Sequence, residues 1–157
     1  MIPEKLKTVQ GSSPATTNGG ITCDYISMKN VQRAWIIVSL TQAAGHATGI
    51  DPVQASAVDG TGAKALTDSV PIWANEDTAA ADTMVRQTDA VTYNVSADVK
   101  NKVVVFQVDP AYFDHANGFD VLGVTVDDSS QATNFASVTY VCQMRYAGDN
   151  APAVITD

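Results

Sequence analysis

Apolar residues recur at every second position through most of this chain, and the clearest examples lie in its C-terminal third. In Lys102–Asp109 (KVVVFQVD), Val104, Phe106 and Val108 share one face while Val103, Val105 and Gln107 share the other. In Val121–Asp127 (VLGVTVD), Leu122, Val124 and Val126 oppose Gly123, Thr125 and Asp127. In Ser137–Tyr146 (SVTYVCQMRY), Val138, Tyr140, Cys142, Met144 and Tyr146 alternate with Thr139, Val141, Gln143 and Arg145. A period of two carried by β-branched and aromatic residues predicts half-buried antiparallel strands.

The same reading extends upstream. Ile21–Met28 and Gln32–Thr41 are predicted strands; in the second, Ala34, Ile36, Val38 and Leu40 oppose Trp35, Ile37 and Ser39. Ala43–Gly49 reads as a turn, Ile50–Val58 as a strand and Asp59–Leu66 as a Gly-punctuated loop. Val70–Ala74 reads as a short strand in which Pro71 suits an edge or a strand start. Glu76–Asp89 fits either one or two helical turns or an irregular loop followed by a strand. Val91–Val95 alternates cleanly, Asp98–Asn101 turns, and Asp127–Asn134 reads as a polar hairpin loop. Seven or eight short strands at this spacing predict an all-β fold, an antiparallel β-sandwich of jelly-roll-like type with little helix. Its expected core includes Ile36, Val38, Val104, Phe106, Val124, Tyr140 and Cys142.

Three regions are expected along the chain. Residues 1–20, rich in Gly, Ser, Thr, Pro and Asn, read as a flexible N-terminal arm outside the core. Ile2, Leu6 and Val9 would anchor that arm, with Lys5 and Lys7, to an acidic neighbour. Residues 21–147 form the sandwich domain and residues 148–157 a Pro-containing C-terminal tail.

Composition narrows the function. The formal net charge of −8 argues against nucleic acid, which is bound by clustered Lys and Arg. No apolar run approaches the roughly 20 residues that cross a bilayer, so no membrane partner is expected. Nor do the early lysines precede an apolar stretch of the kind found in a secretory signal. Cys23 and Cys142 are expected as buried thiols, although pairing stays open at this point.

Candidate chemistry is sparse. His46 and His115 sit in predicted loops without metal-ligand spacing, and a pair of His115 with Asp114 or Asp120 is the one acid/base arrangement within reach. Asp109, Asp114, Asp120, Asp127 and Asp128 flank one strand but lack the D-x-[DN]-x-[DN]-G spacing of a calcium loop. Asp59–Gly60–Thr61–Gly62–Ala63–Lys64 lacks the G-x-x-x-x-G-K-[ST] pattern of a phosphate loop. Asn94–Val95–Ser96 is a formal glycosylation acceptor that needs a secretory route. Trp35, Trp73, Tyr93, Phe106, Phe113, Tyr140 and Tyr146 form either a sugar-stacking platform or, more ordinarily, core. No catalytic, cofactor-binding or metal-binding residue is assigned.

One ordered set of motifs is distinctive. Met28–Lys29–Asn30 precedes an apolar strand; Gln54–Ala55, Asp59–Gly60–Thr61–Gly62–Ala63–Lys64–Ala65–Leu66 and Ile72–Trp73–Ala74 follow, and Arg145–Tyr146 leads into the tail. With these motifs, over most of Ile21–Tyr146, the chain resembles small head decoration (auxiliary capsid-stabilising) proteins of tailed bacteriophages, of the β-sandwich type. The resemblance implies a non-enzymatic, late-expressed virion protein, a homotrimer on the outer capsid surface. Its partners would be its own copies and the phage major capsid protein, and it would pass through the host cytoplasm during assembly. The alternatives are a carbohydrate-binding module on a phage surface, or another phage part such as a tail-tube or head–tail connector protein. Glu76–Asp89 and Asp59–Leu66 are the segments expected to make subunit contacts, because small residues interrupt the strands there.

Overall fold

A computed structural model describes residues 6–146. Its elements in chain order are β1 (Leu6–Thr16), β2 (Ile21–Thr22), β3 (Ile26–Ser27), β4 (Val31–Thr41), β5 (Gly49–Ala55), β6 (Lys64–Ala65), β7 (Ile72–Asn75), β8 (Val85–Arg86), β9 (Tyr93–Asn94), β10 (Asn101–Val108), two single-turn 3₁₀ helices, β11 (Val121–Val126) and β12 (Phe135–Met144). A front sheet runs β1-β12-β4-β10-β7-β8. The back sheet runs β2-β11-β5-β6, with β3 also on β11 and β9 also on β5. All the pairings are antiparallel.

The connections from β1 to β2, β3 to β4, β4 to β5, β9 to β10, β10 to β11 and β11 to β12 all pass between the sheets. With the first strand beside the last, this is the double Greek key of a jelly roll. β7 and β8 form an insertion that widens the front sheet past β10. The expected fold class is therefore the observed one.

Every residue named for the core, Ile36, Val38, Val104, Phe106, Val124, Tyr140 and Cys142, has no solvent exposure. Each such side chain contributes on the order of 1.5–3 kcal/mol by leaving water. Cys23 and Cys142 are free thiols in this core. Burial pushes them up to about 11 and about 12, so both stay protonated and unreactive.

Several expected boundaries move, each for a visible reason. The flexible arm over residues 1–20 is corrected from Leu6 onward. β1 pairs with β12 from Leu6 opposite Gln143 to Thr16 opposite Phe135. Gly11 is there for close approach: a Cβ at this position would lie 2.6 Å from Cε2 of the buried Tyr140 ring. Thr17 and Gly19 are also held, through the Thr17 and Ser129 hydroxyls 2.7 Å apart and the Gly19 N–H on Asp128 Oδ1. Residues 1–5 and the tail over 148–157 lie outside the described residues.

The strand expected over Ile21–Met28 is split into β2 and β3. Between them, the Asp24 N–H donates to Gly11 O and the Tyr140 hydroxyl donates to Asp24 O, tying the break to the front sheet. Asp127–Asn134 is no hairpin loop, because β11 and β12 belong to different sheets. Glu76–Asp89 takes the second of its two readings, an irregular loop leading into β8. Pro71 immediately precedes β7, as a strand-start proline should. Pro52 sits inside β5, where the stretch paired with β9 has ended and that paired with β6 has not begun, so no outer ladder bond is asked of it.

Candidate functional site

The outer surfaces of the two sheets are built differently. On the back sheet, Tyr25 lies across Gly123 of β11, so closely that a Cβ there would meet its ring at 2.4 Å. Gly60, at φ +81°, brings the loop after β5 against the other edge of the same ring. That loop is held by Asp59, whose Oδ1 accepts from the Thr61 N–H and hydroxyl, which lowers the Asp59 pKa. The Lys64 ammonium stands 3.9 Å from the Phe119 ring centroid and reaches Asp114 at 2.7 Å. Val121, Leu122, Gly123 and Val124 are all buried, Leu122 and Val124 in the core and Val121 and Gly123 on the other face of β11.

The front sheet has no such cover among the described residues. The register sets Ile37 opposite Thr139 on one side and Val105 on the other, with Trp73 beyond Val105 and Arg86 beyond Trp73. One step along, Trp35 stands between Val141 and Gln107. These side chains alternate with the fully buried ones and are all partly exposed, except Arg86, which is exposed at the sheet margin. Trp35, Trp73, Met84, Val105 and Gln107 line an open depression of about 280 Å³. Arg86 lies 4.8 Å from the Trp73 ring centroid and pairs with Asp89, which closes one margin. Arg33 bonds Asp109 through Nε at 2.7 Å and Nη2 at 3.0 Å, closing another. Between those margins the outward positions of β12, β4, β10 and β7 carry no charge.

Of the aromatics considered for a platform, Trp35 and Trp73 are brought together on this face. Phe106 and Tyr140 are core, Phe113 is buried, and Tyr146 is exposed beyond the end of β12. Sequence reasoning did not single out Ile37, Val103, Val105 and Val141 as surface. The signal was present, since β4 and β10 are apolar on both faces.

The other candidates disperse. Asp109, Asp114 and Asp120 are taken by Arg33, Lys64 and Lys29. Asp127 and Asp128 sit past the other end of β11, where burial and then Asp51 raise the Asp127 pKa while backbone N–H groups lower that of Asp128. His46 contacts Thr48, and His115 Nε2 lies 2.7 Å from Pro110 O rather than on a carboxylate. Among the described residues no group of three or more His, Cys, Asp or Glu is placed to hold a metal ion.

One charged network centres on a buried lysine. Lys102, fully enclosed, reaches Glu76 at 3.1 Å and the Ser96 hydroxyl at 2.8 Å. Glu76 also accepts from the Tyr93 hydroxyl at 2.8 Å and from Ser96, and burial followed by Glu76 raises the Tyr93 pKa. Every member has a partner, so the cluster joins β10 to the segments after β7 and β9.

No family model matches the chain, and no curated protein matches it. Among solved structures it is similar to the SPBc2 prophage-derived protein YomS at 9% identity, with 87% of this chain and 91% of that one covered and a TM-score of 0.49. It is similar to the CBM22-2 xylan-binding domain from Paenibacillus barcinonensis Xyn10C at 9% identity, with 90% and 88% covered and a TM-score of 0.35. A CBM4 structure matches at 12% identity, with 87% and 66% covered and a TM-score of 0.33. At these levels the likeness carries no function across.

Proposed function

We propose that this protein is a non-enzymatic structural component of a bacteriophage virion, decorating and stabilising the outer surface of the capsid as an oligomer. Its partners on this reading are the major capsid protein and its own copies. The observation that carries the proposal is the uncharged, Trp-lined outer face of the front sheet on a chain of net charge −8. A contiguous apolar patch of this kind on a β-sandwich serves association with another surface. The sequence resemblance to head decoration proteins supports a capsid as the place where the resulting oligomer sits. The test is cryo-electron microscopy of phage particles incubated with the purified chain. Added density at regular outer-surface sites is the expected result; bare particles at saturating protein would reject it.

The second reading is a carbohydrate-binding module. It draws on the same depression, where Trp35 and Trp73 flank Gln107. Glycan-array binding that disappears in Trp73→Ala would favour it over decoration.

A further inference from the structure

We infer that the outer face of the front sheet is the surface through which two copies of this chain associate. This deepens the proposed function and depends on its oligomer, but names the face and its occupant. The first argument is charge. Two copies each carrying −8 repel wherever loop carboxylates meet, and like charges brought together cost several kcal/mol. The field between Arg33 and Arg86 is where this protein offers a broad uncharged surface, and the two cations at its margins are already paired with Asp109 and Asp89.

The second argument is size and lining. The four strands β12, β4, β10 and β7, spaced by about 4.8 Å, and ladder rows from Arg33 to Ser39 span roughly 15 Å by 20 Å, on the order of 300 Å² in projection before side chains corrugate it. A stable interface removes about 800 Å² of accessible surface per partner, so this field is the centre of the contact and the flanking β1 and β8 supply its rim. The depression at its centre, about 280 Å³, falls just below the roughly 300–1,000 Å³ of small-molecule sites. Beside the two indole N–H groups, Gln107 is the one polar side chain among its five lining residues and the only one with an oxygen acceptor, few partners for the hydroxyls of a sugar. An apolar ridge from another protein surface fits better.

The third argument is that the sheet is closed at its edges. β1 carries Lys7, Pro14 and two register shifts along its pairing, and β8 is two residues long. These are the features that block strand addition. A partner therefore comes onto the face rather than the edge.

The chain provides its own probe, because its two tryptophans are Trp35 and Trp73. Light scattering and intrinsic fluorescence of the full chain should be followed together across a dilution series. The expected result is an oligomer whose formation shifts Trp emission to the blue. Thr139→Glu, a change at an outward and partly exposed position, should weaken self-association roughly a hundredfold while leaving the far-UV circular dichroism unchanged. Val105→Glu should do the same from the centre of the depression.

A monomer at every concentration overturns the inference. So does an oligomer whose Trp emission ignores dilution and which tolerates both substitutions. An emission shift of the monomer on adding soluble xylan or cello-oligosaccharide would also overturn it, in favour of a sugar. Particle binding is not read here, so failure of capsid decoration shows separately, as bare particles beside a chain that still self-associates.

Discussion

The back and front sheets belong to one jelly roll and share one core, yet they treat their outer surfaces in opposite ways. On the back sheet the chain covers itself: Tyr25 lies over Gly123, and the loop carrying Gly60 closes against the ring. The absence of a side chain at Gly123 is what lets an aromatic ring come this close to the strand. On the front sheet Trp35, Ile37, Val105 and Val141 stand where solvent reaches them. Folding alone does not explain apolar residues on that side, since the inward positions of the same strands already supply the core. The difference separates surface shaped by the fold from surface available to something outside it.

The largest expected effect is at the covered face. Gly123→Val puts a branched side chain into the Tyr25 ring and should cost about 3 kcal/mol, measured by urea unfolding. A loss below about 0.5 kcal/mol would mean that Tyr25 swings away freely and that the cover is not part of the fold. Next is Tyr25→Ala, which uncovers both glycines and should cost about 2 kcal/mol by the same measurement. Unchanged stability would make the two faces equivalent.

On the front face, Trp73→Ala in dilute monomer should cost about 1 kcal/mol or less, from lost packing and the lost Arg86 contact. Its main effect should fall on association. A cost as large as that of Tyr25→Ala would show that the Trp face is structural and end the contrast.

The smallest effect is expected at Asp127, just past the end of β11. Its pKa is raised above 3.8 by burial and then by Asp51. Below about pH 3.8 the carboxyl is protonated in both folded and unfolded chains and carries no penalty. As pH rises through the elevated folded value, the folded protein must ionise it beside Asp51 and stability falls. Asp127→Asn should therefore raise the melting temperature at pH 7 and leave it unchanged near pH 3. A gain confined to low pH would reverse the assignment.

Much of the fold was legible because the strand period is local. Val104, Phe106, Tyr140 and Cys142 were placed in the core by alternation alone, and the structure leaves all of them unexposed. The N-terminal segment was misread because Gly11, Ser12, Ser13 and Pro14 resemble a spacer by composition. Gly11 is instead the site where β1 passes over the Tyr140 ring, a contact between residues far apart in the chain. The candidate face was half legible. Alternation in β4 and β10 marked Trp35, Ile37 and Val105 as lying opposite the core, but nothing local set Trp73 beside Val105.

By itself, then, the sequence determined an all-β chain and the inward faces of its main strands. These follow from side-chain period and residue type, which act over a few neighbours. Only the tertiary structure decided that residues 6–16 close the front sheet, that β11 and β12 part into different sheets, and that one outer face is covered while the other is open. Those outcomes depend on register and on crossings between sheets, where each partner lies tens of residues away and its identity is set by the packing of the whole core.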